Sequence, residues 1–210
     1  MIKVLVADDH AVVRRGLIQI LNEAQDMIVA GEACTGREVL RVIRESDPDA
    51  LVLDIAMPEG GGLEVLQQLQ TLKPDLPVLI LSVYSERQYA IRALKAGATG
   101  YLTKESAPEE LVAAIRRVAL GERYVTKSLG AELVAALEGK TEGELHEGLS
   151  DREYQVMCLL ATGKTVTEAA ADLSLSVKTV STYRGRILKK LNLETTSEII
   201  RYALERGLVE

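Results

Sequence analysis

The chain has 210 residues, a formal net charge of −6 at pH 7 and a hydrophobic fraction of 47%. That is apolar material for one large or two small cored domains, and no apolar run approaches the ~20 residues a membrane-spanning helix needs. No basic stretch precedes an apolar segment at the N-terminus, and the two cysteines, Cys34 and Cys158, lie far apart without metal-ligand spacing, so a secretory signal, a disulfide framework and a zinc site are not expected and a cytoplasmic location is.

The first ~120 residues alternate short apolar runs with amphipathic stretches. Strands are expected at Lys3–Ala7, Met27–Ala33, Ala50–Asp54, Val78–Ser82 and Thr99–Leu102, and helices near 11–24, 36–46, 63–72, 86–96 and 108–120. The strand runs are nearly continuous in apolar residues, as parallel strands covered on both faces require. The implied fold is α/β, a doubly wound five-stranded parallel sheet. Pro58 to Gly62 reads as a loop, Lys73-Pro74 as a helix stop, and Pro108 suits the first turn of a helix. A helix near 126–138 then leads into a polar, glycine-rich stretch, 139–148, that reads as a flexible linker. From Leu149 onward the pattern is all helical. The expected division is therefore 1–122, a linker helix and linker over 123–148, and a small all-α domain over 149–210.

Charge is divided unevenly between these parts. Residues 149–210 carry nine Lys and Arg against eight Asp and Glu, whereas residues 1–148 are strongly acidic; positions 173–193 hold five basic residues and no acidic one. A local basic stripe on an acidic protein points to nucleic acid.

In a doubly wound sheet, ligands bind beyond the carboxyl ends of the strands. Asp8 and Asp9 follow the first strand, Asp54 closes the third, Ser82 ends the fourth and Lys104 follows the fifth. Three carboxylates brought together repel one another and call for a cation, and hard oxygen ligands at a small open site suit Mg²⁺. A carboxylate nucleophile, a metal, an ammonium and a hydroxyl are the parts that phosphoryl transfer to aspartate needs.

Four segments carry a family resemblance: Val6-Ala7-Asp8-Asp9-His10, Leu51-Val52-Leu53-Asp54-Ile55-Ala56-Met57-Pro58, Leu81-Ser82 and Gly97-Ala98-Thr99-Gly100-Tyr101-Leu102-Thr103-Lys104. Together they resemble the receiver domain of two-component response regulators, a flavodoxin-like fold. The resemblance implies that Asp54 accepts a phosphoryl group from a sensor histidine kinase. It implies that Asp8, Asp9, Asp54 and the main-chain carbonyl of Ala56 hold Mg²⁺, that Lys104 pairs with the phosphate, that Ser82 turns its hydroxyl toward it and that Tyr101 swings inward as a switch. Two positions depart from the pattern. Val83 stands where a very small residue is usual, which narrows access to the phosphate, and Glu105 stands where many receivers have proline.

The C-terminal part reads as four helices. Ser150-Asp151-Arg152-Glu153 and Thr165-Val166-Thr167-Glu168 are capping boxes, Ser176 caps a third helix running to about Leu191, and a last helix spans about Ser197–Arg206. At about 100° per residue, Val177, Val180, Ile187, Leu188 and Leu191 share one face of the third helix and Lys178, Ser181, Thr182, Gly185 and Lys189 the opposite one, flanked by Arg186 and Lys190. Small polar groups ringed by cations suit a recognition helix in a major groove. The expected DNA-contacting set is Lys178, Thr179, Ser181, Thr182, Tyr183, Gly185, Arg186, Lys189 and Lys190. Arg184 is expected to pack its stem while its head reaches solvent. Leu149-Ser150-Asp151-Arg152-Glu153, Ala161-Thr162-Gly163, Ser176-Val177-Lys178-Thr179-Val180 and Lys190-Leu191 resemble the LuxR-type DNA-binding domain, and with the receiver they form the NarL/FixJ arrangement of response regulators. Ala169-Ala170-Ala171 and Tyr183 depart from its commoner residues.

The implied protein is a transcriptional regulator that binds promoter DNA, dimerises when phosphorylated, has RNA polymerase as a further expected partner and has no membrane partner. One alternative is a DNA-binding regulator that ignores phosphate and carries a vestigial receiver. Another is an aspartyl-phosphate phosphatase, although such enzymes place the nucleophile after the first strand. A dinucleotide-binding dehydrogenase is excluded because no G-x-G-x-x-G follows the first strand.

Overall fold

A computed structural model describes residues 1–58, 61–83, 86–126, 130 and 145–209. The chain divides into two compact units, Met1–Leu133 and Val134–Glu210. Apart from Thr126 and Gly130, the helix expected near 126–138 lies outside the described residues, as do residues 139–144 of the expected linker and Glu59 and Gly60 of the proline-glycine loop.

In the first unit, β1 (Ile2–Ala7), β2 (Met27–Ala33), β3 (Ala50–Asp54), β4 (Val78–Ser82) and β5 (Gly100–Thr103) form one sheet in the order β2-β1-β3-β4-β5. Every pairing is parallel. Helices α1 (Ala11–Glu23), α2 (Gly36–Ser46), α3 (Gly62–Leu72), α4 (Glu86–Lys95) and α5 (Pro108–Ala119) alternate with the strands. The central strands β3 and β4 are buried at every position, which is why they read as unbroken apolar runs. Alternate side chains serve opposite faces of the sheet. Val4, Val6, Val52, Leu79, Leu81 and Leu102 pack in one cluster with Leu17 and Leu21 of α1 and with Leu111, Ile115 and Val118 of α5.

Two local features differ from the sequence reading. The fifth strand is shifted by one residue, to Gly100–Thr103, and Thr99 just before it bonds Val78 of β4 twice, its amide donating to the Val78 carbonyl at 2.8 Å and its hydroxyl accepting from the Val78 amide at 3.2 Å. Tyr124, assigned above to the linker, belongs to the receiver. Its amide donates to the Thr99 carbonyl and its carbonyl accepts from the Tyr101 amide, adding a bridge to the exposed edge of β5. Edge strands leave unpaired backbone groups, and here one turn of chain covers them. Gly100 permits it: a Cβ there would stand 2.9 Å from the Tyr124 carbonyl oxygen.

The second unit comprises a 3₁₀ turn (Leu145–Gly148), α6 (Asp151–Ala161), α7 (Val166–Asp172), α8 (Val177–Leu191) and α9 (Thr196–Glu205). Residues 145–148 were expected in the linker; instead they are folded, with His146 Nδ1 3.1 Å from the Tyr202 hydroxyl and its ring near that of Tyr154. Both expected capping boxes form. The last helix starts one residue earlier than expected because Thr195 and Glu198 make a third box. From Glu153 to Ala161 every residue of α6 is buried, so this helix is the core on which the others pack.

Glu153 has a second task. Only 3% exposed, it accepts from the Ser150 amide and from Lys190 Nζ, each at 2.7 Å, and thereby ties the start of α6 to the end of α8. Burial pushes its carboxyl up, but the bonds from Lys190 and Ser150 outweigh burial and hold it below the usual range. Such a group contributes stability above its ordinary pKa of about 4.3, and the contribution is lost as pH falls through the lowered value. Glu153→Gln is expected to cost about 1–3 kcal/mol at neutral pH and to flatten the acid dependence. Hydrogen exchange of α6 amides across pH measures both; unchanged protection at neutral pH would contradict the assignment.

Candidate functional site

The strand order places β1 and β3 side by side, with the connections leaving them to opposite sides of the sheet. A crevice opens at such a reversal. Asp8 and Asp9 leave β1 there and Asp54 ends β3. Ser82 and Lys104 come from the next two strand ends, so all five residues expected at the site share one rim of the sheet. Asp8, Asp54 and Ser82 are each 1% exposed or less. The Lys104 side chain, 10% exposed, reaches over the rim and sets its ammonium 2.7 Å from Asp54 Oδ2 and 2.7 Å from Asp8 Oδ2. Its amide donates to the Ser82 carbonyl at 2.8 Å, which locks the base of the lysine to the end of β4.

Burial raises the Asp54 carboxyl above the usual carboxylate range. Lys104 and the Ala56 amide, which donates to Asp54 Oδ1 at 3.1 Å, oppose that rise, while Asp8 reinforces it. For Lys104, burial acts against the charge, yet the two carboxylates outweigh it and hold the ammonium firmly protonated. Tyr101 of β5 is fully buried, with its ring inside the domain, and Val83 is 66% exposed at the rim.

The donor set fits a hard divalent cation. Asp8, Asp9, His10 and Asp54 bring one ligand atom each within 4.8 Å of one another. Asp8 Oδ2 is met by the Lys104 ammonium at 2.7 Å, whereas Asp9 Oδ1 is buried without a hydrogen-bond donor. Buried carboxylate oxygens lacking donors are costly unless a cation meets them.

Two contributors carry no role in the sequence reading. Arg14 of α1 donates to the Asp8 carbonyl at 2.7 Å and to Glu32 at 3.1 Å, bracing the turn that carries both aspartates. Gly62, at the start of α3, lies against the backbone of Asp54 and Ile55, and its amide donates to the Ile55 carbonyl at 2.9 Å. No local pattern marks either residue, because each acts through a contact between its helix and a strand end, made only when the two pack.

On α8, Lys178, Ser181, Thr182, Gly185, Arg186 and Lys189 are exposed, and Thr179 and Tyr183 are half-buried. Lys178, Thr179, Thr182, Tyr183 and Arg186 line one shallow depression, with the Arg186 guanidinium 5.9 Å from the centre of the Tyr183 ring. Lys190 is placed differently: its ammonium is held by Glu153 and by the Gly148 carbonyl. Two further residues of α8 have surroundings that the wheel does not show. Val180, Ile187 and Leu191 are buried, but Val177 in the first turn is 47% exposed, and Arg184, half-buried, donates from Nε to Thr196 Oγ1 at 2.7 Å.

A switch-point cluster of carboxylates balanced by a lysine, carried on a chain that also holds a helix-turn-helix, defines a phosphoreceiver coupled to a DNA reader. Comparison with known proteins agrees. Residues 4–116 match the response regulator receiver domain, and residues 147–203 match the bacterial regulatory proteins of the luxR family. The chain is 37% identical to the response regulator GacA of Pseudomonas aeruginosa over 100% of its length and 99% of that protein's. It is 38% identical to the oxygen regulatory protein NreC of Staphylococcus epidermidis, over 99% of each. Among solved structures, RcsB of Salmonella enterica serovar Typhimurium, bound to promoter rprA in the presence of the phosphomimetic BeF₃⁻, matches with a TM-score of 0.63 at 25% identity, over 96% of this chain and 98% of that one. The chain belongs to the NarL/FixJ family of two-component response regulators, with a receiver domain and a LuxR-type DNA-binding domain. No helix among the described residues is long and apolar enough to cross a membrane.

Proposed function

We propose that this response regulator is switched by phosphorylation of Asp54 by a sensor histidine kinase and, once phosphorylated, dimerises and binds promoter DNA. The observation that carries the reading is the Lys104 ammonium shared by Asp54 and Asp8 at the sheet's switch point. An oxygen of Asp54 attacks the phosphorus of the donor as the bond to the donor's leaving group breaks. Lys104 holds the incoming phosphoryl oxygens, and the Ser82 hydroxyl donates to one of them. Asp8, Asp9, Asp54 and the Ala56 carbonyl would hold Mg²⁺, which neutralises phosphoryl charge when bound. Tyr101 carries the change along β5. Val83, exposed at the rim, slows access of donor and water. The shift from off to on asks a few kcal/mol of differential stabilisation.

DNA contact is assigned to Lys178, Thr179, Ser181, Thr182, Tyr183, Gly185, Arg186 and Lys189 of α8, with two subunits reading two half-sites and RNA polymerase as the downstream partner. Lys190, exposed beside them, joins the set with its ammonium also held by Glu153.

Intact mass after incubation with acetyl phosphate and Mg²⁺ tests the switch. Wild type is expected to gain one phosphoryl group and sediment as a dimer, and Asp54→Asn to do neither. No added mass on wild type, or equal uptake by Asp54→Asn, contradicts the proposal and leaves a DNA-binding regulator under other control.

Gly185 offers a separate test of the DNA surface. A Cβ there would meet nothing within 4 Å, so the fold does not require glycine. Gly185→Ala is expected to stabilise the helical unit by roughly 0.5–1 kcal/mol and to weaken DNA binding. Unchanged affinity would remove α8 at this position from the groove.

A further inference from the structure

His10 occupies the N-cap of α1, where a short oxygen-bearing side chain would cap the helix, yet its side chain makes no capping hydrogen bond. Its backbone is fixed: the amide donates to Asp8 Oδ1 at 2.7 Å and the carbonyl accepts from the Arg14 amide at 2.9 Å. The imidazole turns to the carboxylates instead. Nδ1 stands 2.8 Å from Asp9 Oδ1 and 3.4 Å from Asp8 Oδ1. The closer pair is at contact distance but not aligned as a hydrogen bond, since Asp9 Oδ1 has no donor. Two donors at right angles on a metal with bonds of about 2.1 Å stand about 3.0 Å apart. The imidazole nitrogen thus stands from each carboxylate oxygen at about the spacing of neighbouring ligands on one ion. Asp8, 1% exposed, adds a further oxygen that Lys104 meets at 2.7 Å, and the His10 side chain, 59% exposed, leaves a path for a hydrated cation.

We propose that His10 is a nitrogen ligand of the receiver's cation site and biases it from Mg²⁺ toward first-row transition-metal ions. The inference rests on the reading above that this rim binds a divalent cation. Carboxylates and water suit Mg²⁺, whereas imidazole adds affinity for Mn²⁺ through Zn²⁺ unequally and adds little for Mg²⁺. The metal held before phosphoryl transfer would then depend on the ions available as well as on the carboxylates.

The test compares full-length wild type with His10→Ala, loaded with Co²⁺ or Mg²⁺ in a titration calorimeter and with Mn²⁺ for pulsed electron paramagnetic resonance. His10→Ala is expected to weaken Co²⁺ binding by about tenfold and to change Mg²⁺ binding by less than about twofold. Nitrogen modulation on bound Mn²⁺ is expected in wild type and absent from the variant. Absence of nitrogen modulation in wild type, unchanged Co²⁺ affinity, or equal weakening of both metals overturns the proposal, the last by showing a purely structural role. Equal melting temperatures in EDTA establish that the variant is folded. Failure of wild type to bind any divalent ion, with no phosphoryl mass gained at Asp54, overturns the underlying receiver reading as well.

Discussion

Gly62→Ala is expected to abolish or severely slow phosphoryl uptake at Asp54 and to destabilise the receiver by about 3 kcal/mol, the upper end of what overpacking costs. A Cβ at position 62 would lie 2.2 Å from the Asp54 carbonyl oxygen, 2.8 Å from the Ile55 Cα and 2.9 Å from the Asp54 carbonyl carbon. All three are backbone atoms and cannot rotate aside, so either α3 lifts from the sheet or the end of β3 moves. The Gly62 amide is also bonded to the Ile55 carbonyl, so the two segments shift together. Phosphoryl transfer depends on reactant placement, and a displacement of about 1 Å costs about 10²-fold in rate. Gly16→Ala, where a Cβ meets nothing within 4 Å, serves as the control and is expected to be neutral or mildly stabilising. Rates of mass gain and thermal midpoints for the two variants decide the matter; a Gly62→Ala protein that takes up phosphate at the wild-type rate would show that the acceptor tolerates movement.

The second large effect concerns Asp54 itself. Asp54→Asn is expected to raise receiver stability at neutral pH by ~1–2 kcal/mol in metal-free buffer, even as it removes the phosphoryl acceptor. Burial, helped by Asp8, raises the carboxyl above its unfolded value despite Lys104. The folded receiver therefore binds that proton more tightly than the unfolded chain does. This contribution to stability is fully present below the ordinary pKa of about 3.9 and is lost as pH rises through the raised folded value. Asparagine keeps the shape without the charge, and Lys104 retains Asp8 at 2.7 Å. The gap between variant and wild type should widen as pH rises through that window and then level off. Mg²⁺ should close part of it by binding the folded wild type. Thermal midpoints at several pH values, in EDTA and in Mg²⁺, measure all three effects. A variant less stable than wild type in EDTA at neutral pH would mean that attraction to Lys104 exceeds the cost of burial.

Both expectations concern a residue legible in the sequence whose surroundings were not. Asp8, Asp9, Asp54, Ser82 and Lys104 stand at ends of strands that apolar runs announce, and the strand order that assembles them is a common one. The helix starts at Ser150, Thr165 and Ser176 were equally legible, because a cap is chemistry between neighbours three residues apart. Thr195 and Glu198 stand at the same spacing and form a third box. Val177, Arg184 and Lys190 were placed by the wheel, which knows angle but not neighbours. The wheel cannot see that Val177 in the first turn is left 47% exposed, that Thr196 receives Arg184, or that Glu153 holds the Lys190 ammonium.

By itself the sequence determined what local rules encode: five parallel strands, the capped helices of a DNA-reading unit, and the residue types of a phosphoryl-accepting site. Periodicity and capping act over a few residues and survive in any context. The tertiary structure decided the rest: Arg14 holding the Asp8 carbonyl, Gly62 seated on the Asp54 backbone, Tyr124 closing the edge of β5, residues 145–148 folding back on the helices, and His10 turned onto two aspartates. Each depends on groups brought within bonding distance only after the layers pack, and no spacing along the chain records that meeting.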